Sequence, residues 1–212
     1  DSGGNCIAVA PGANYSLLPG SIIHFSKVID EADIIVMQAE IPYETIKRIA
    51  LLAKQKGKKV LFNPAPACLI DEELMKAIDI LVVNELEAAF ISGIEYTGNN
   101  LEEIALSLLQ AGARNAVITL GSQGVYMKND KGIIQLPGYK VNAIDTIAAG
   151  DTFCGALAVI CAQREIDRDA LSFANAAAAI AVTRSGAQPS IPTLDEVKHF
   201  MLEKELALSF NF

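Results

Sequence analysis

The sequence predicts a single α/β domain of the doubly wound kind, a mainly parallel sheet with helices on both faces in three layers. Three observations carry this. Short β-branched apolar runs alternate with segments of helical period. The runs are apolar throughout, as strands covered on both faces must be. The 212 residues, 51% of them apolar, suffice for one sizeable core, and no linker-like stretch divides residues 1–212 into two units.

The strand-like runs are residues 6–10, 32–37, 59–62, 78–83 and 116–120. Between the second and third, residues 44–56 place Ile46, Ile49, Ala50 and Ala53 on one stripe and Lys47, Arg48 and Lys54 elsewhere; Gly57 is a natural stop. Residues 101–111 repeat the pattern and Gly112 closes it. The order strand, helix, strand implies right-handed crossovers. Residues 124–128 and 132–136, joined by Asn129-Asp130-Lys131, read instead as a hairpin. The alanine-rich run at 174–181 reads as a helix packed closely against a neighbour.

Composition removes several classes of function. With 17 basic and 25 acidic residues the net charge is −8, and no run of lysine and arginine supplies a phosphate-backbone footprint, so nucleic acid is not an expected partner. The longest apolar runs, such as 176–182, fall far short of a bilayer span, and no basic-then-apolar leader opens the chain; no membrane association and a cytoplasmic location are expected. Cys6, Cys68, Cys154 and Cys161 form no CxxC pair, and only His24 and His199 could join them, so no zinc site is expected. Cys154 and Cys161 share a helical face and read as reduced, buried thiols.

Ligands of open parallel sheets bind beyond the carboxyl ends of the strands. Gln38 and Glu40 follow the second run there, Asn63 the third, Asn84 and Glu87 the fourth, and residues 119–124 the fifth. The most informative stretch is Asp145-Thr146-Ile147-Ala148-Ala149-Gly150-Asp151-Thr152-Phe153, in which small residues lead into an acid and a helical pattern begins at once. Small side chains let a ligand reach the backbone, and the free amides of a first helical turn favour an anion. Taken alone, Asp151 is either a capping acid beside a glycine turn or the proton acceptor for a hydroxyl attacking a phosphoryl group. Asn84 likewise reads as a helix cap, and residues 121–124 as a tight turn.

Beyond these local readings, the stretch DTIAAGDTF at 145–153 and the later FANAAAAIAVTRSGAQPS at 173–190 resemble the ribokinase branch of the PfkB family of carbohydrate kinases. MQAE at 37–40, NPAPA at 63–67, NELEA at 84–88 and TLGSQG at 119–124 follow in that family's order, so the similarity covers nearly the whole chain. The resemblance implies a ribokinase-like fold and ATP-dependent phosphorylation of a sugar hydroxyl, with D-ribose 5-phosphate the implied product. It makes Asp151 the general base and the amides of Ala148, Ala149 and Gly150 an anion hole. It places Asn84, Thr119, Gly121, Ser122, Gln123, Gly124, Gly150 and Asn175 at the nucleotide, and Glu40 and Asp151 at the sugar. It assigns Glu87 to the water around a Mg²⁺ ion. Asp145, Ile147, Ala181, Arg184, Gly186 and Ser190 become a K⁺ site, largely through carbonyl oxygens. A homodimer formed through lids is implied for an intact member.

Alternatives within the family are kinases for fructose, a ketodeoxy sugar acid or a nucleoside. Outside it stands a lid-less nucleotide-binding protein that is not an enzyme. The family's glycine-rich sugar-binding motif, sugar-gripping residue and lid find no match in the 212 residues. The chain is therefore expected to be a C-terminal portion, retaining nucleotide binding but phosphorylating sugar poorly by itself.

Overall fold

A computed structural model describes residues 10–204. Six strands form one sheet: β1 Ile34–Gln38, β2 Lys59–Asn63, β3 Ile80–Asn84, β4 Asn115–Thr119, β5 Val125–Asn129 and β6 Gly132–Leu136. They lie side by side in chain order. The first four run parallel, with Ile34 opposite Lys59 and Leu81 opposite Ala116; β4, β5 and β6 pair antiparallel. The run expected at 6–10 lies outside the described residues except for Ala10, which is not in a strand.

Alternation along each strand divides the apolar residues between two cores. Val60, Phe62, Leu81, Val83, Ala116 and Ile118 face one side, with helices α2 Tyr43–Gln55, α3 Glu72–Met75, α4 Glu85–Ser92 and α5 Leu101–Gln110. Leu61, Ile80, Val82, Val117, Val125 and Met127 face the other, with α6 Ala149–Gln163, α7 Arg168–Ala181 and α8 Leu194–Glu203. The three-layer α/β/α class is as the sequence predicts. The winding differs in one respect: crossovers that always step to the next strand in one direction with one hand must leave their helices on one face. The second layer is therefore supplied by the C-terminal helices, not by crossovers that reverse direction.

Local chemistry sets the boundaries. After α2, Lys58 N donates to Ala53 O at 2.9 Å across Gly57 at φ 68°, the left-handed stop its sequence position required. The third strand begins at Ile80 and not at residue 78, because Ala77 N and Ile78 N are still tied to Leu74 O and Met75 O at the end of α3. That short helix starts at Asp71, whose carboxylate accepts from Leu74 N at 2.9 Å. In the hairpin, Asn129 pairs with Gly132 and its side chain accepts from Lys131 N at 2.9 Å. Before β1 lie two 3₁₀ segments, Gly12–Ser16 and Pro19–Phe25, and the short helix α1 Ser26–Glu31. On α7, Ala170, Ala174, Ala177 and Ala181 are buried at helical spacing, which lets α6 and α7 approach closely.

Candidate functional site

Where the chain enters α6, the backbone turns through Ala148 at φ 59°, the one non-glycine residue with positive φ among the described residues. That conformation costs an alanine about 1–2 kcal/mol, and several hydrogen bonds offset it. Asp145 Oδ1 accepts from Ile147 N at 3.0 Å, Ala149 N donates to Thr146 O at 3.3 Å, and Thr152 N donates to Ala148 O at 2.9 Å. Ile144 N and Asp145 N both donate to Val182 O, at 2.7 and 3.2 Å, which moors the turn to the end of α7.

The amides of Gly150 and Asp151 find no acceptor among the described residues, so of the three amides expected to form an anion hole, Gly150 is free while Ala149 is engaged by a long turn bond. A Cβ on Gly150 would meet nothing within 4 Å. The fold thus leaves room there. Asp151 is exposed in the first turn of α6.

The start of α4 lies at the carboxyl end of β3. Asn84 Oδ1 accepts from Leu86 N and Glu87 N at 2.9 and 2.8 Å, while Glu87 Oε2 accepts from Asn84 N at 2.8 Å, a reciprocal capping box. The cap uses the oxygen of the Asn84 side chain and leaves its NH₂ group for a ligand. Glu87 is half-buried and its carboxyl is pushed up chiefly by burial. Burial also pushes the Cys154 thiol up to about 12, with the charges of Asp151 and Glu87 adding to it. The two acids, from opposite layers, thus act on one thiol.

At neighbouring strand ends, Asn63 Nδ2 donates to Val82 O at 2.8 Å and Thr119 Oγ1 to Val83 O at 3.3 Å. Ala39 N donates to Ala65 O at 3.0 Å, joining the 37–40 motif to the proline turn and leaving Glu40 exposed.

Residues Gly121–Gln123 form a 3₁₀ turn closed by Leu120 N to Gly124 O at 2.8 Å. Gly124 sits at φ 103°, and a Cβ there would lie 2.1 Å from Leu136 O; one on Gly138 would lie 2.2 Å from Ser122 O. Two backbones therefore cross with no room for a side chain on either. Gly138 had no signal in the sequence, since the requirement comes from a strand partner. Asn175 is 8% exposed and its Nδ2 donates to Pro137 O at 2.9 Å, so α7 grips the same segment. It is a buried tether between α7 and the segment after β6.

The loop after α7 meets Asp145. Asp145 Oδ2 accepts from Gly186 N at 3.1 Å, and the two amides hold its carboxyl below the usual range. Ala181 O accepts from Arg184 N at 3.0 Å, and the buried Ser190 hydroxyl donates to Ala187 O at 2.6 Å, which leaves its lone pairs available. Arg184 is neutralised by Glu196 at 2.6 Å. Asp145 thus ties the turn before α6 to the loop after α7 through the amides of Ile147 and Gly186. Among the described residues no group of three or more His, Cys, Asp or Glu side chains forms a metal cluster.

A strained turn with free amides and an exposed acid beside them, with capped helix starts at the carboxyl edge of a mainly parallel sheet, are the features of an α/β protein whose ligand edge is the one parallel sheets commonly use. Residues 2–194 match the family model described as pfkB family carbohydrate kinase, and the chain belongs to that family. It is 41% identical over 197 residues to a ribokinase of Staphylococcus aureus strain COL, covering 92% of this chain and 65% of that protein. A solved ribokinase of Thermotoga maritima superposes with TM-score 0.84 at 39% identity, over 95% of this chain and 66% of that one. The ribokinase of Arabidopsis thaliana, solved with ribose and ATP, gives 0.87 at 28% identity, over 94% and 66%. The chain thus spans about 65% of the length of that curated relative. No helix of the described residues is long and apolar enough to cross a membrane.

Proposed function

We propose that this chain carries the phosphoryl-transfer half of an ATP-dependent sugar kinase, acting on the 5-hydroxyl of D-ribose. The observation that supports it most is Asp151 standing exposed beside the unpaired Gly150 and Asp151 amides. The Asp151 carboxylate accepts the proton of the sugar hydroxyl as its oxygen bonds to the γ-phosphorus; the bond from phosphorus to the β–γ bridging oxygen breaks and ADP leaves. The free amides stabilise charge on the moving phosphoryl group. Asn84 Nδ2 and the 119–124 loop hold the nucleotide, with Asn175 fixing the wall on which the nucleoside lies. Glu40 meets the sugar.

Glu87 would orient water about Mg²⁺, an ion that neutralises the phosphates when bound. The carbonyls of Ile147, Ala181, Arg184 and Gly186 with Ser190 Oγ would hold K⁺ next to Asp145, steadying the strained turn. The whole protein is read as a cytoplasmic homodimer.

The test is Asp151→Asn in the full-length protein. Turnover with ribose should fall by a factor on the order of 10²–10⁴, while ATP affinity stays within about threefold, since the hydroxyl's proton is not involved in nucleotide binding. An unchanged rate would remove Asp151 from the mechanism.

A further inference from the structure

At the opposite, amino end of the parallel strands lies a cavity of about 930 Å³. Seven of its lining side chains are basic and three acidic, in a chain whose overall balance is 17 basic to 25 acidic. Part of that charge has a structural task. Helices α2, α5 and α6 end here, each presenting roughly half a negative charge. Lys59 Nζ donates to Cys161 O and Arg164 O at 2.8 and 2.9 Å, and Lys54 donates to Lys76 O. Arg114 pairs with Asp79 at 2.9 Å, Arg164 with Asp167 at 2.8 Å, and Lys76 with Glu72.

Lys58 and Lys131 remain. Neither forms an ion pair or side-chain hydrogen bond among the described residues, and Lys54 is bound only to a neutral carbonyl. These three flank the floor formed by the starts of β2, β3 and β4 and the end of β5. From β2 to β5 is three strand spacings, about 14 Å. Lys58 and Lys131 thus stand at opposite ends of the floor, a span that a chain of phosphates can follow, meeting both lysines and the backbone between them.

We propose that this cavity is a second anion site, remote from the candidate active site, that takes a linear chain of phosphates. The Arg114 side chain is three-quarters exposed in its pair with Asp79, so it can be shared with such a ligand at little cost.

The test is amide-resolved NMR of the ¹⁵N-labelled chain titrated with inorganic tripolyphosphate at low ionic strength. Saturable shifts are expected at Gly57, Ala113 and Asp130, weakened about tenfold in Lys58→Glu/Lys131→Glu, a loss worth about 1.4 kcal/mol. Both lysines lie outside helices and strands, and Lys58→Gln/Lys131→Gln, which removes charge without reversing it, should give an intermediate loss. Shifts confined to the first turn of α6 and the 121–124 loop, or shifts at the cavity that both double variants leave unchanged, would overturn the proposal.

Discussion

Gly150 is required by neither its backbone nor its neighbours: it lies in a helix, and a Cβ would meet nothing within 4 Å. Gly150→Ala should therefore raise stability by about 0.5–1 kcal/mol, read as a higher unfolding midpoint, while turnover drops on the order of 10²-fold because the methyl group fills the phosphoryl space. Loss of both stability and activity would mean that the glycine serves the fold. Asp151 and Asn84 were legible in the sequence because helix starts are encoded within four or five residues. The left-handed Ala148 was not, since its conformation is imposed by Val182 O and Asp145, and the packing roles of Gly138 and Asn175 depend on partners far along the chain.

Among the elements, the crossing of residues 121–124 over 136–138 is the least tolerant. Gly138→Ala is expected to cost about 2–4 kcal/mol in urea unfolding and to weaken nucleotide binding, because the backbone of the loop must move aside. The start of α8 gives a pH signature. Arg184 first, then the Thr193 amide and hydroxyl, hold the Glu196 carboxyl down to about 2 against an ordinary 4.5. A depressed folded value means that the contribution is complete above about pH 4.5 and disappears as pH falls to about 2. Acid unfolding followed by circular dichroism should show a shallower slope over that interval for Glu196→Gln; identical slopes would separate the pair from stability. Helix α2 and the hairpin could be read from periodicity and turn residues. Helix α3 and the 3₁₀ segments could not, because four to seven residues do not complete a recognisable repeat.

For the molecule as a whole, β1 forms an edge of the sheet among the described residues, and its apolar surroundings are open: Val36 is 39% exposed, Val28 63% and Ile23 74%. Unpaired strand edges without charge invite pairing with another chain. The isolated chain should associate with rising concentration in sedimentation velocity, and Val36→Lys should suppress this; a strictly monomeric parent would count against an open edge. The layer architecture was legible from continuously apolar strands, but its single direction of winding was not, since strand order leaves no trace in local pattern. The basic cavity escaped notice for a related reason. Lys54, Lys58 and Lys59 share one short stretch, but Lys76, Arg114, Lys131 and Arg164 join them only through the fold.

The sheet also acts as a partition through the candidate site. Asp151, Asp145 and Asn175 belong to the C-terminal laminate of α6 and α7, whereas Asn84 and Glu87 open a helix of the opposite one. A ligand bridging both would staple the two sheets of helices together, and hydrogen exchange at the first turns of α4 and α6 should then slow in concert as nucleotide saturates. A ligand resting on one laminate would quiet that side alone, so the same experiment reports how much of the binding energy is spent in joining the halves.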